Sequence, residues 1–164
     1  MATCHADNPS IQVPPALIIA LAPRYLFATF GPGQVYLDLK HPRKYVDTMM
    51  ADKNIARVQR NRMHRAEACV ANGIEQLPLF AAAVTAANAA ELPLEVVNGC
   101  AIAYLASRLV YSWIYIWGMD QGVSPGMRSL SWFASSGACL ALFVKSGMKM
   151  RAKESGGFLS ALFD

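Results

Sequence analysis

The sequence predicts an all-α integral membrane protein: a bundle of four spanning helices forming one domain over residues 1–164. Three observations carry this. Apolar residues make up 54% of the chain and charged ones only 16%, against roughly 25% charged in an average soluble domain. The apolar residues gather into four runs, the later three of about the length that crosses a hydrocarbon core at ~1.5 Å per residue and the first shorter, assigned as a span on the strength of the others. The basic residues are not spread evenly: Lys40, Arg43, Lys44, Lys53, Arg57, Arg60, Arg62 and Arg65 crowd one connecting segment, opposed there only by Asp38, Asp47 and Asp52. Apolar runs flank that segment on both sides. The net charge of +4 therefore marks a cytosolic membrane-side loop by the positive-inside rule, and no nucleic-acid partner is expected.

In chain order, Met1–Val13 holds no Lys or Arg, lacks the charged start of a signal peptide, and reads as a short tail. Pro14-Pro15 suits a first helical turn, where missing N–H groups cost little. The first span covers about 13–34. Its apolar run ALIIALAPRYLFATF is short and contains Pro23 and Arg24, and Arg24 is expected to snorkel or to face the bundle. The basic loop, 35–64, has room for a short interfacial helix.

The second span, about 65–90, carries Asn72 and Glu75 near one helical face with Arg65. An ionisable group at membrane depth costs roughly 2–3 kcal/mol or more unless it faces protein or water, so Glu75 is expected to point into the bundle. Pro78 cannot donate to the carbonyl of Ile74, which predicts a kink beside Glu75. Glu91-Leu92-Pro93 is a tight turn that sets the third span, about 94–117, antiparallel. Tyr104, Arg108, Tyr111 and Tyr115 form one stripe on it, and Trp113 and Trp117 fit an interfacial belt. GMDQGVSPG is the next turn. The fourth span, about 128–147, opens with RSLSW, and a polar tail follows on the side opposite the basic loop.

Cys4, Cys69, Cys100 and Cys139 form no CxxC pair and no disulfide is expected. Pro9 blocks the Asn8 sequon. Zinc spacings, nucleotide fingerprints and a P-loop are absent, and no metal is expected. Ser146–Lys149 matches SxxK by chance at a helix end, and His41 and His64 read as solvated loop residues.

What remains is a polar cluster inside the spans. The second span runs inward from the basic side, the third returns to it, and the fourth starts there. Asn72, Glu75, Arg108, Tyr111, Tyr115, Arg128 and Ser129 are thereby brought toward one level. Two guanidiniums, two phenols and a carboxylate suit a polar anionic ligand beside lipid. The alternative is a structural Arg108–Glu75 ion pair with packed tyrosines.

AxxNxxExxPLF on the second span, SRxxYxxxY on the third and RSxxWF on the fourth resemble the membrane-associated proteins in eicosanoid and glutathione metabolism, the MAPEG family, from about His41 to Gly147. The KHPR loop and RAEACVANGIE are most similar to a branch common in fungi. The resemblance implies a four-helix subunit of a homotrimer in the endoplasmic reticulum, with glutathione as cofactor between subunits and a lipophilic substrate arriving from membrane lipid. Asn72, Glu75, Arg108, Tyr111, Tyr115 and Arg128 match glutathione contacts. In that scheme Glu75 takes the amine and Arg108 the carboxylate region. Arg128 and Ser129, with Tyr115 and Glu75, match the positions implicated in catalysis, the Arg-Ser pair stabilising a thiolate. The sequence departs at Ala68–Ala71, where relatives place basic residues. Transfer, peroxidase or isomerase chemistry is implied. Two other classes stay open: a glutathione-independent isomerase or cyclase for lipophilic natural products, and a non-catalytic lipid-binding scaffold.

Overall fold

The computed structural model describes residues 12–30, 36, 41 and 44–161. Cys4, His5, Asn8 and residues 35, 37–40, 42 and 43 of the basic loop lie outside them. Five α-helices follow in order: α1 (Val13–Phe30), α2 (Tyr45–Ala51), α3 (Arg57–Ala89), α4 (Leu94–Ile116) and α5 (Pro125–Ala161), with a 3-10 turn over Gly118–Gln121. Arg57–Ala89, Leu94–Ile116 and Pro125–Ser155 are each long and apolar enough to cross a membrane, while α1 is shorter. The described residues contain no strand.

Two boundaries differ from expectation. Helix α3 starts at Arg57, inside the expected basic loop, because helical geometry continues past the membrane wherever polar side chains can reach water. Helix α5 likewise runs well past the apolar stretch. Helix α3 also continues through Pro78 without a break.

The α3–α4 turn is built from local bonds. Glu91 takes a left-handed φ of 54°, and the Leu92 N–H reaches back to the Ala87 carbonyl at 3.0 Å, which closes the helix in a Schellman-type stop. From α5, Lys149 donates to the Glu91 carbonyl. Pro93 then starts α4 directly, so α4 lies antiparallel beside α3.

Small side chains form much of the core. Ala16, Ala83, Ala87 and Ala101 pack with Val84, Val97, Cys139 and Leu142, and the rings of Phe80 and Tyr104 stack at 4.0 Å and 4°. Tyr104, expected on the polar stripe of α4, thus belongs to the core. Gly73 lets α1 come so close to α3 that an added Cβ would sit 2.8 Å from the Ala20 Cβ; close approach of this kind holds helices together where lipid gives no hydrophobic drive. Arg24 of α1 faces inward: it donates to Glu67 on α3 at 2.9 Å through Nε and 2.6 Å through Nη2. At the basic end, the Tyr36 hydroxyl donates to Asp52 at 2.5 Å. That bond holds the Asp52 carboxyl below the usual range and raises the Tyr36 phenol.

Candidate functional site

The site lies between α3, α4 and the start of α5, toward the basic end of the bundle. A cavity of about 300 Å³ is lined by Asn72, Tyr111, Arg128, Ser129, Trp132 and Phe133. Asn72, Tyr111, Arg128 and Ser129 were expected there from sequence; Trp132 and Phe133 were not singled out. Helical spacing explains them: they follow Ser129 by three and four residues and so continue its face.

Arg108 is the deepest charge. Only 4% exposed, it donates through Nη1 to the Asn72 carboxamide oxygen at 2.8 Å and lies over the Tyr111 ring at 4.6 Å from its centroid. Arg128 lies over the Tyr115 ring at 4.8 Å, and the two phenol rings are 5.8 Å apart. The pocket is therefore framed by two cation–aromatic pairs, each worth ~0.5–2 kcal/mol depending on desolvation. Among the described residues no carboxylate lies within 4.0 Å of either guanidinium, the ion pairs there being Arg24–Glu67, Arg62–Asp120, Arg65–Asp120 and Lys153–Glu91. Arg128 thus lines the cavity, while Arg108 and Tyr115 stand behind its lining, and among the described residues no counter-anion pairs with either cation.

This goes against the alternative reading, a structural Arg108–Glu75 ion pair, and against the expectation that Glu75 points into the bundle of its own subunit. Glu75 is exposed on the outer face of α3 and does not meet Arg108 in the subunit. The physical reason is angular. Three residues turn a helix by ~300°, which leaves Glu75 roughly 60° from Asn72; Asn72 turns toward α4 while Glu75 passes to the outside.

Asp120 is a site-forming residue that sequence reasoning missed. It sits in the short turn before α5 and accepts from Arg65 Nη2 and Arg62 Nε, both at 2.6 Å. These bonds, Arg65 first, hold its carboxyl below the usual range. The clamp ties the start of α3 to the turn that leads into Arg128 and Ser129. One acid in GMDQG opposite a dense basic segment was the available signal. Cys69, one turn before Asn72, packs with Ala66, Tyr111 and Ile116. Cys69, Cys100 and Cys139 carry free thiols. Among the described residues no group of three or more His, Cys, Asp or Glu is placed to hold a metal ion.

A largely apolar groove of about 320 Å³ runs between α1 and α4, its walls including Pro23, Leu26, Leu109 and Trp113 with Ser112. The pocket's lining residues lie inside the region, residues 15–148, that the sequence model of the MAPEG family matches. No curated protein and no solved structure matches the chain.

Proposed function

The chain belongs to the MAPEG family, the membrane proteins of glutathione and eicosanoid metabolism, and on that footing we propose that it is a membrane enzyme that uses glutathione on a lipophilic substrate. One observation carries the reading: Arg128 lines a polar pocket, Arg108 stands directly behind its lining residues Asn72 and Tyr111, and neither has a carboxylate within 4.0 Å among the described residues. Burying an uncompensated guanidinium costs several kcal/mol, a cost that an anionic ligand offsets. The donor set fits glutathione. Arg108 and Asn72 would hold a carboxylate and Ser129 and the Tyr111 and Tyr115 hydroxyls would supply hydrogen bonds. When bound, glutathione supplies a thiol nucleophile. Arg128, with Ser129, favours the ionised sulfur by placing a positive charge and a hydroxyl beside it. Trp132 and Phe133 supply an aromatic wall for the apolar part of the ligands.

Glu75 fits this reading only if a neighbour covers it. An exposed carboxylate at membrane depth costs roughly 2–3 kcal/mol, and a homotrimer would bring a second copy against α3, with Glu75 near the amine of a ligand shared between subunits. The endoplasmic reticulum and a cytosolic basic loop complete the proposal.

A second reading is favoured by Ala68 and Ala71, which leave the pocket with fewer cations than relatives have. It is a glutathione-independent isomerase or cyclase, with Tyr111, Tyr115 or Glu75 moving the proton; a lipid-binding scaffold is the non-catalytic extreme. Purified protein assayed with chlorodinitrobenzene and a lipid hydroperoxide, with and without glutathione, separates them. The proposal expects turnover only with the thiol. Thiol-free turnover of a lipophilic epoxide or polyene, lost on Glu75→Gln or Tyr115→Phe, overturns it in favour of the isomerase. Lipid binding without turnover of any of these probes favours the scaffold.

A further inference from the structure

Most serines of α5 satisfy their hydroxyls within the helix: Ser131 donates to the Arg128 carbonyl, Ser135 to that of Trp132 and Ser146 to that of Leu142. Ser136 is different. Its Oγ is buried with no partner, and so is the Oε1 of Gln76 on α3. Gln76 is 8% exposed. Water is scarce in a bilayer core, so each orphan atom carries an unrecovered desolvation cost.

Neither residue lines the cavity, but helical spacing carries both one turn beyond residues that do. Gln76 follows Asn72 by four residues, one turn further in on the same face of α3, and Ser136 continues the stripe Ser129–Trp132–Phe133 on α5 by one turn. Both helices run inward from the basic end, and α3 packs on α5. A third orphan, Arg65 Nε, lies on the same α3 face at the outer end. Of the four orphan buried atoms among the described residues, two thus lie on the α3 face that carries Asn72, and a third lies on the α5 face that carries Trp132 and Phe133.

We propose that the pocket continues one turn toward the bilayer centre and ends in a hydrogen-bonding subsite, formed by Gln76 and Ser136, that takes a hydroxyl group of the lipophilic substrate. A hydroxyl is the smallest group that satisfies both atoms. It donates to the carboxamide oxygen and accepts from the serine O–H. A ketone offers no donor to Gln76, and a carboxylate would face its acceptor oxygen. The apolar remainder of the substrate lies along Trp132 and Phe133 toward lipid. The inference rests on the pocket being a substrate site, but not on glutathione being its partner.

The test uses the full chain in nanodiscs with a matched pair of photoreactive probes: a long-chain primary alcohol bearing a diazirine, and the same chain with hydrogen in place of the hydroxyl. Crosslinked residues are mapped by mass spectrometry. The alcohol is expected to label 76–80 and 132–140 about 5- to 10-fold more than the alkane, the discrimination of one buried hydrogen bond. Gln76→Met and Ser136→Ala should each remove that preference while labelling elsewhere on the chain is unchanged. Ser136→Ala deletes one atom and keeps the test available if Gln76→Met does not fold. Equal labelling by the two probes, or a preference that survives in Ser136→Ala, overturns the subsite and leaves a bound water as the partner of these atoms. A preserved alcohol preference in protein that gives no heat with glutathione would sink the glutathione reading and leave the subsite standing. Heat with glutathione but no alcohol preference would do the reverse.

Discussion

Replacing Arg108 by Met separates a ligand-binding guanidinium from a structural one. The buried charge costs several kcal/mol in desolvation. Against that, its bond to Asn72 returns ~1.5–3 kcal/mol as a charged hydrogen bond, and the Tyr111 ring returns ~0.5–2 kcal/mol. The terms nearly cancel, because no carboxylate within 4.0 Å among the described residues adds to the favourable side. Met fills much of the same volume, so the main loss is the Asn72 oxygen left without its donor, ~1–3 kcal/mol, offset by the relieved charge. The expected stability change is therefore within ~2 kcal/mol of zero, whereas breaking a buried ion pair costs ~3–5 kcal/mol. Ligand binding should behave otherwise: removing the guanidinium from a desolvated anion costs ~2–5 kcal/mol, a loss of affinity of roughly 30-fold to several-thousandfold. The assay pairs thermal unfolding in detergent with calorimetric titration of glutathione. A variant that melts far below the wild type yet binds glutathione as before would refute the reasoning.

Three further outcomes follow from the geometry. Gly73→Ala places a Cβ 2.8 Å from the Ala20 Cβ and 3.0 Å from its Cα; forced separation of α1 from α3 should destabilise by ~1–3 kcal/mol, visible in thermal unfolding, with partial recovery in Gly73→Ala/Ala20→Gly. The Asp120 carboxyl is held low by Arg65 and Arg62, so its contribution is complete above the ordinary carboxylate pKa of ~4 and is lost as pH falls through the lower folded value; Asp120→Asn should remove that acid-side loss from a pH series of unfolding temperatures, and an unchanged series would show that the clamp does not couple to folding. A cysteine at Asn54, exposed next to α2, should react with an impermeant thiol reagent from the cytosolic side of sealed vesicles. Labelling from the lumenal side would reverse the orientation of the bundle.

Much of the helical layout was legible because apolar runs, the Pro93 turn and the Gly118–Gly126 turn punctuate the chain clearly. The start of α3 was not: Arg57–Arg62 resembles a loop by composition, but nothing in it stops a helix whose side chains reach water. Periodicity grouped Asn72, Arg65 and Glu75 on nearby faces without saying which neighbour each face would meet. Packing decided that, sending Arg65 to Asp120, Asn72 to Arg108 and Glu75 outward. The partner of Arg24 was equally hidden, since Glu67 lies 43 residues away in sequence. Trp132 and Phe133 were within reach of helical spacing from Ser129; the orphan atoms of Gln76 and Ser136 depend on rotamers that spacing does not specify.

The central claim, that this pocket ionises glutathione, is tested most directly by the ultraviolet thiolate band of glutathione added to the purified protein at neutral pH. The account predicts that the band appears with the wild type and is largely lost in Arg128→Ala, since removing a preorganised donor to an anion typically costs about 3–4 kcal/mol. Glutathione that stays a thiol in the presence of the wild-type protein, or a thiolate band untouched by Arg128→Ala, would contradict it.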